Sequence, residues 1–169
     1  MTGPAAPAVT IRPLAARTDL AAVIAAYLDA ADYWTLADRR PPDAAKAAAF
    51  FTDSPPGCDP ALSHRLGLFV DGDLSGVAEL SFGFPDPGDA YLGSMILAPR
   101  ARGRGYGRAL LAHVEALARH ATAPRLCLAV LEENPRGRAF WERHGFRATG
   151  LSGRDPDTGH ILHRMAKPL

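Results

Sequence analysis

The 169-residue sequence has little cysteine and little net charge, and both shortages narrow the range of functions. The only cysteines, Cys58 and Cys127, form no CxxC pattern and have no nearby histidine pair, so we expect neither a disulfide framework nor a metal site. Because the formal net charge is only +1, an anion would have to be bound by a local cluster of basic residues. The reducing cytoplasm is the expected location.

Long apolar runs are also missing. The most apolar stretch, residues 20–28, is much shorter than the roughly 20 residues that span a bilayer, and residues 1–9 have neither the basic segment nor the apolar core of a secretory signal. We therefore expect no membrane association. A single domain over residues 9–169 is predicted, because one core commonly holds about 100 to 200 residues. The proline-rich residues 1–8 predict a flexible N-terminus.

The N-terminal third of the sequence predicts one strand and two helices. Residues 9–15 alternate apolar and polar side chains, as a strand does, and a helix is expected to follow with Thr18 or Asp19 as its N-cap. The segment 32–42 is expected to break that helix. A second, short helix is predicted after it, with Asp43 near its start.

The remainder predicts a β-meander followed by a strand–helix–strand–helix unit. Asp71-Gly72-Asp73 is a strong hairpin signal between two strands, and residues 90–98 form a third strand. A helix over 106–120 then leads to a strand over 125–131, which is apolar on both faces and therefore suits the centre of a sheet. A further helix and two terminal strands follow, and the whole pattern is α+β.

The segment "RARGRGYGRALL", Arg100 to Leu111, concentrates glycine and arginine between the third strand and the helix. Glycine permits positive φ and close approach of a ligand, and the start of a helix leaves N–H groups free to bind an anion. A diphosphate is the ligand that such a site is expected to bind. A solvated turn is the alternative interpretation. The segment fits neither the dinucleotide fingerprint G-x-G-x-x-G nor the Gly-Lys-Ser/Thr end of a Walker A motif.

These residues are similar to a known family. Arg102-Gly103-Arg104-Gly105-Tyr106-Gly107 matches the (Gln/Arg)-x-x-Gly-x-(Gly/Ala) signature of the GNAT superfamily of acetyl-CoA-dependent N-acetyltransferases. The preceding "MILAPRA" resembles the fourth strand of that family, and "ENPRGRAFWERHGFRATG" resembles its second motif. The resemblance implies a central mixed, mostly antiparallel sheet of about six to seven strands flanked by about four helices.

The resemblance also implies an acetyl donor and the residues that hold it. In the family, the loop amides and the arginine side chain bind the diphosphate of CoA, the fourth strand pairs with the pantetheine arm, and an asparagine touches that arm. For Asn134, a plain N-cap role is equally open. Carried over to this sequence, the cofactor-binding residues are Ile96, Leu97, Arg102, Gly103, Arg104, Gly105, Tyr106, Gly107, Arg108 and Asn134.

The implied reaction is direct attack of an amine on the acetyl thioester, which requires a base and oxyanion donors. Glu79 is the predicted base, since a carboxylate in a central strand would be desolvated and its pKa raised; a solvated strand face is the alternative. Asp89 is a weaker candidate. The sequence departs from the family where Trp141 stands in place of its usual acid, a tyrosine, because an indole cannot supply a proton as an acid.

Tyr33 and Trp34 occupy a region that shapes the acceptor site in the family, and packing in the core is their alternative role. A small-molecule amine is expected rather than a protein, with acetyl-CoA as donor, no metal and no nucleic acid. Homodimers are frequent in the family, so a homodimer is the assembly to test.

Two other functions remain open at this point. A non-catalytic acyl-CoA-binding module would explain the tryptophan at position 141. A nucleic-acid patch would explain the arginines, although the low net charge and the lack of interleaved aromatic residues weigh against it.

Overall fold

The computed structural model describes residues 5–169, which form a sheet with helices on both faces. The described residues contain seven strands: β1 Val9–Pro13, β2 His64–Val70, β3 Asp73–Phe82, β4 Ala90–Leu97, β5 Arg125–Leu131, β6 Arg147–Arg154 and β7 Ile161–Pro168. They also contain five α-helices: α1 Ala16–Asp29, α2 Ala31–Asp38, α3 Ala44–Ala49, α4 Tyr106–His120 and α5 Pro135–Arg143. The predicted α+β fold is confirmed.

The seven strands lie in one sheet with the order β1-β2-β3-β4-β5-β7-β6 in the described chain. All neighbours are antiparallel except β4 and β5, which are parallel. These two strands pair only at Ala90 with Leu126 and at Tyr91 with Cys127. Beyond Tyr91 they separate, so the rest of the β4 edge facing β5 has backbone groups available to a ligand.

Two hydrophobic clusters cover the two faces of the sheet. The first packs α4 and α5 against β2 to β5 and β7, and its fully buried side chains include Leu80, Leu110, Leu128 and Phe146. The second packs α1 to α3 against β2 to β4, and within the described residues it contains none from β5, β6 or β7. A groove therefore remains on this second face, between the α1–α3 layer and the C-terminal strands.

The segment 32–42 was predicted to break the first helix, and this prediction is wrong. The chain bends at Ala30, but α2 follows at once. Trp34 of α2 stacks on Tyr27 of α1 with ring centroids 4.7 Å apart, and this burial stabilises a helix that the local composition does not indicate. The helix ends at Asp38, and its C-cap, Arg39, has a left-handed φ of 56°.

The predicted N-cap of α1 is also wrong. The N-cap is Ala15, and Asp19 lies in the first turn of the helix. Its carboxylate accepts a hydrogen bond from the Ala15 amide at 2.8 Å and pairs with Arg12 at 2.8 Å. Asp19 thus satisfies a free helix amide from inside the helix, a geometry that a search for N-cap residues overlooks.

Other local predictions are confirmed. The β2–β3 turn consists of Asp71 and Gly72, with φ of 52° and 88°, as a two-residue hairpin of this kind requires. Asp43 caps α3 and Asn134 caps α5, each accepting a hydrogen bond from the amide three residues later.

The predicted flexible N-terminus covers residues 1–8, of which 1–4 lie outside the described residues. Ala8 exchanges two hydrogen bonds with Asp71, through its amide at 2.9 Å and its carbonyl at 2.8 Å. Among the described helices, none has the length and apolar character needed to cross a membrane.

Candidate active site

The loop between β4 and α4 is shaped by two glycines in left-handed conformation. Gly103 has a φ of 72° and Gly105 a φ of 84°, which residues with a side chain rarely adopt. Gly105 is the N-cap of α4, and no side chain in the described chain caps this helix. Its first amides are therefore free to bind an anion, at the positive end of the helix dipole.

The third glycine, Gly107, has a different role. It is buried, and a Cβ at this position would lie 3.3 Å from the ring of Phe140 and 3.4 Å from Leu97. Glycine here lets α4 pack closely against α5 and β4. This packing holds the start of α4 beside the gap between β4 and β5.

The arginines of the segment are not equivalent. Arg102 donates from Nε to the carbonyl of Leu97 at 3.0 Å and from Nη2 to Asp32 at 3.0 Å, so its side chain is engaged with protein groups. Arg108 is exposed and lines the main cavity. Arg104 and Tyr106 line instead a small neighbouring depression. Their predicted contacts with CoA stay predictions.

The main cavity has a volume of about 1530 Å³ and runs from this loop to the groove on the second face of the sheet. Small-molecule pockets are commonly about 300–1,000 Å³, so this one has room for two ligands. Of the predicted cofactor-binding residues, it brings together Ile96, Leu97, Arg102, Gly103, Gly105, Gly107, Arg108 and Asn134.

Glu79 is buried on β3 and lines the cavity. Its Oε1 accepts a hydrogen bond from Ser81 and lies 3.7 Å from Nη1 of Arg65. Burial raises the pKa of this carboxyl, while the Ser81 hydroxyl and the Arg65 charge oppose that shift. Burial on β3 was the expectation, and a carboxylate with a raised pKa suits a base near neutrality.

A bulge in β4 makes room for this carboxylate. Glu79 is in register with Ser94 and the next residue of β3 with Leu92, so Gly93 is left without a partner on β3. A Cβ at Gly93 would collide with Oε2 of Glu79. Glycine at this position therefore allows the carboxylate to lie directly against the backbone of β4.

The weaker candidate for the base, Asp89, and the tryptophan in place of the family's tyrosine, Trp141, are placed differently. Asp89 is buried in a bidentate pair with Arg125, at 2.9 Å and 2.8 Å, and is not among the residues that line the cavity. Trp141 does line the cavity. Its ring meets Phe140 and Phe146 edge to face at 4.9 Å and 5.5 Å, so the indole that replaces the expected tyrosine is held by aromatic packing.

Tyr33 and Trp34 lie side by side on α2 and both line the cavity. Trp34 is 7% exposed, belongs to the second hydrophobic cluster and carries Nζ of Lys46 4.6 Å from its ring centroid. Tyr33 is only packed against that cluster, and burial raises the pKa of its hydroxyl. Trp34 is thus mainly a core residue, while Tyr33 is the more exposed of the two.

Sequence reasoning missed three residues around the carboxylate: Arg65, Ser81 and Gly93. Arg65 is directly opposite Glu79 in the β2–β3 hairpin, and counting residues from the Asp71-Gly72 turn gives nearly this register. A bulge after Leu68 shifts the count by one. The bulge at Gly93 had no comparable signal in the sequence.

Comparison with known protein families gives a match over most of the chain. Residues 25–146 match the model of the Acetyltransferase (GNAT) family. The chain belongs to this family. Its members are acyltransferases that use acetyl-CoA.

Solved GNAT structures share the fold over nearly the whole chain. An acetyltransferase from Thermus thermophilus has 22% identity and a TM-score of 0.73, covering 95% of this chain and 97% of its own. The PaiA N-acetyltransferase from Thermoplasma acidophilum, solved with coenzyme A, has 22% identity and a TM-score of 0.69, with 96% and 99% covered. The ribosomal-protein-S18-alanine N-acetyltransferase from Escherichia coli has 21% identity and a TM-score of 0.67, with 95% and 94% covered.

Proposed function

We propose that this protein transfers the acetyl group of acetyl-CoA to the amine of a small molecule, by direct attack in a ternary complex. The observation that carries the proposal is the position of Glu79, a buried carboxylate with a raised pKa that lines the same cavity as the diphosphate-type loop. Binding of CoA alone would not require a buried carboxylate, because burying a charged group costs free energy.

The donor occupies the loop and the gap between β4 and β5. The amides of Gly103 through Arg108 bind the diphosphate, and the free β4 edge near Ile96 pairs with the amides of the pantetheine arm. The Leu97 carbonyl already accepts from Arg102, so other groups of this edge supply the pairing. Asn134 remains the N-cap of α5, with its Oδ1 bonded to the Gly137 amide at 2.9 Å.

The reaction begins when Glu79 takes a proton from the acceptor ammonium, directly or through water. The amine lone pair then forms a bond to the thioester carbon, and the backbone of β4 at the Gly93 bulge donates to the resulting oxyanion. Collapse of the tetrahedral intermediate breaks the carbon–sulfur bond. The positively charged nitrogen of the intermediate gives up its excess proton to water, and the CoA thiolate takes a proton from that water, because Trp141 has no acidic proton to give.

A small acceptor is favoured by how the groove is closed. The C-terminal end of α2 is tied to the β6–β7 turn, where the buried His160 bonds through Nε2 to the Leu36 carbonyl at 2.7 Å, and Arg39 donates to the Thr158 carbonyl at 2.6 Å. This connection bridges the acceptor side of the cavity, which suits a compact molecule better than an extended polypeptide.

Release of free thiol from acetyl-CoA across a panel of small amines tests the proposal. We expect turnover with at least one class of amine, and a mass increase of one acetyl group on that amine. Tight CoA binding without turnover of any amine would contradict the proposal. It would favour instead a non-catalytic acyl-CoA-binding module, the alternative that Trp141 raises.

A further inference from the structure

Arg164 of β7 is a half-buried cation that lines the cavity and has no ion-pair or hydrogen-bond partner for its side chain among the described residues. Its Nε is fully buried without an acceptor. Its guanidinium carbon lies 4.9 Å from the ring centroid of Phe84. A buried N–H group without an acceptor costs free energy, and a ligand in the cavity would supply that acceptor.

The strand register directs Arg164 toward the acceptor end of the cavity. Arg164 is opposite Ala129 of β5, on the same sheet face as Cys127, which is in register with Tyr91 of β4. The single methyl of Ala129 lets the long arginine side chain cross β5. Arg164 thereby reaches the Phe84 ring, whose centroid is 4.9 Å from that of Tyr91.

Tyr91 links the contact between Arg164 and Phe84 to Glu79, the proposed catalytic base. It is in register with Ser81, whose hydroxyl donates to Glu79. Burial raises the pKa of Tyr91, the positive charge of Arg164 opposes the shift and the negative charge of Glu79 adds to it. Both charged groups are therefore close enough to act on one phenol.

Three of the other cations that line the cavity face carboxylates, and Arg154 of β6 donates from Nη1 to the Gly159 carbonyl at 2.9 Å. Arg102 is bound to Asp32, Lys46 lies 2.9 Å from Asp38, and Arg65 faces Glu79. The exposed arginines at the donor end lie where the phosphates of CoA would bind. Near Glu79 the donor presents only its thioester and neutral amides, so CoA itself supplies no counterion for Arg164.

We infer that Arg164 binds a carboxylate on the acceptor, so that the substrate is a free amino acid whose amine is directed toward Glu79. A guanidinium binds a carboxylate through two parallel hydrogen bonds, and the flanking Phe84 ring keeps its plane in place. This inference rests on the proposed function, because it assigns the acceptor of that same reaction.

Pairs of substrates that differ only in the carboxylate measure its contribution separately from that of the amine. Each of the twenty common L-amino acids is compared with its carboxamide and, where available, its decarboxylated amine, with kcat/KM measured by thiol release. We expect the best amino acid to exceed its amide by about tenfold or more in the wild-type protein. Arg164→Gln should remove this preference by lowering kcat/KM for the acid and leaving that for the amide unchanged.

Control variants exclude a merely structural effect. Arg164→Lys keeps the charge and should retain part of the preference, whereas Arg17→Gln, at an exposed position of α1, should leave both substrates unaffected. CoA affinity and melting temperature of Arg164→Gln show whether the variant is folded. Equal losses for acid and amide, or no preference in the wild type, would overturn the inference.

A binding measurement keeps this inference separate from the proposed function. With CoA bound, amino acids should raise the melting temperature of the wild-type protein but not that of Arg164→Gln. If amines and amino-acid carboxamides are acetylated and the carboxylate has no effect on kcat/KM, only the inference is rejected. Absence of all turnover would reject the proposed function, and absence of any thermal shift with amino acids would then reject the inference as well.

Discussion

The proposed donor and acceptor halves of the cavity are lined by different kinds of groups. The donor half consists mainly of backbone: left-handed glycines at 103 and 105, an uncapped helix start and an unpaired strand edge. The acceptor half consists of charged and aromatic side chains, among them the buried Glu79 and Arg65, and Arg164, whose side chain has no partner within the described part of the chain. In the proposed function, backbone groups bind the cofactor that the family shares, and side chains select the acceptor of this particular chain.

The acceptor half is expected to respond most strongly to loss of its carboxylate. Glu79→Gln should lower kcat by about 10²- to 10⁴-fold, because the glutamine cannot accept the proton of the amine. The affinity for CoA should stay at the wild-type value, as measured by calorimetry. Thiol release at saturating donor and acceptor gives kcat.

Glu115→Gln is the matched control for that variant. Glu115 is also a buried glutamate, paired with Lys167 at 2.6 Å, but it lies on α4 and does not line the cavity. It should lose stability and keep kcat. Equal losses of kcat in the two variants would show that Glu79 acts through folding and not as a base.

The donor half should respond to backbone conformation. Gly105→Ala places a side chain at a φ of 84°, where the new Cβ meets no atom within 4 Å, so its effect is conformational. Such a residue costs about 1–2 kcal/mol in the left-handed region, so we expect the free loop to leave this conformation. Restoring the conformation on binding would make the affinity for CoA about 5- to 30-fold weaker. Calorimetric titration with CoA measures this change.

Gly72→Ala controls for strain alone. Gly72 has a φ of 88°, also in open space, but it lies in the β2–β3 turn. This variant should lose a similar amount of stability and bind CoA normally. Unchanged CoA affinity in Gly105→Ala would remove the loop from the donor site.

The substitution Ser81→Ala changes the pKa of Glu79 without removing its carboxylate. The Ser81 hydroxyl donates to Glu79 and lowers its pKa, so Ser81→Ala should raise that pKa further above its ordinary value. Less of the carboxylate is then ionised at a given pH. The acid limb of kcat/KM should therefore move to higher pH, with activity recovering as the pH rises.

Ser75→Ala is the comparison for that profile. Ser75 is also buried on β3, but it accepts from Arg100 at 2.7 Å, outside the cavity. Its pH profile should match that of the wild type. An acid limb that moves to lower pH in Ser81→Ala would contradict the assignment of the base.

The smallest effect is expected where the two halves touch. Arg102 of the donor loop pairs with the exposed Asp32 of α2, and exposed pairs contribute about 0–1 kcal/mol. Asp32→Asn should therefore change the affinity for CoA and the melting temperature only slightly, by less than about fivefold in the dissociation constant. A larger loss would mean that donor binding depends on the position of α2, and that the two halves are coupled.

What could be predicted from sequence follows the same division. The donor half is contiguous, so Gly103, Gly105 and the start of α4 were predicted from one short segment. Around Glu79, the interacting residues come from three strands, and two bulges displace them from a simple count. Arg164 had no local signal at all, because its position near Phe84 and Tyr91 depends on the order of β4, β5 and β7 in the sheet.

The most direct test of this account measures two quantities on two variants. The dissociation constant of CoA and the saturated kcat are determined for Glu79→Gln and Gly105→Ala. We predict that Glu79→Gln loses kcat with unchanged CoA affinity, and that Gly105→Ala loses CoA affinity while kcat at saturating acetyl-CoA is retained. Loss of both quantities together in either variant, with the fold intact, would contradict the division into a donor half of backbone and an acceptor half of side chains.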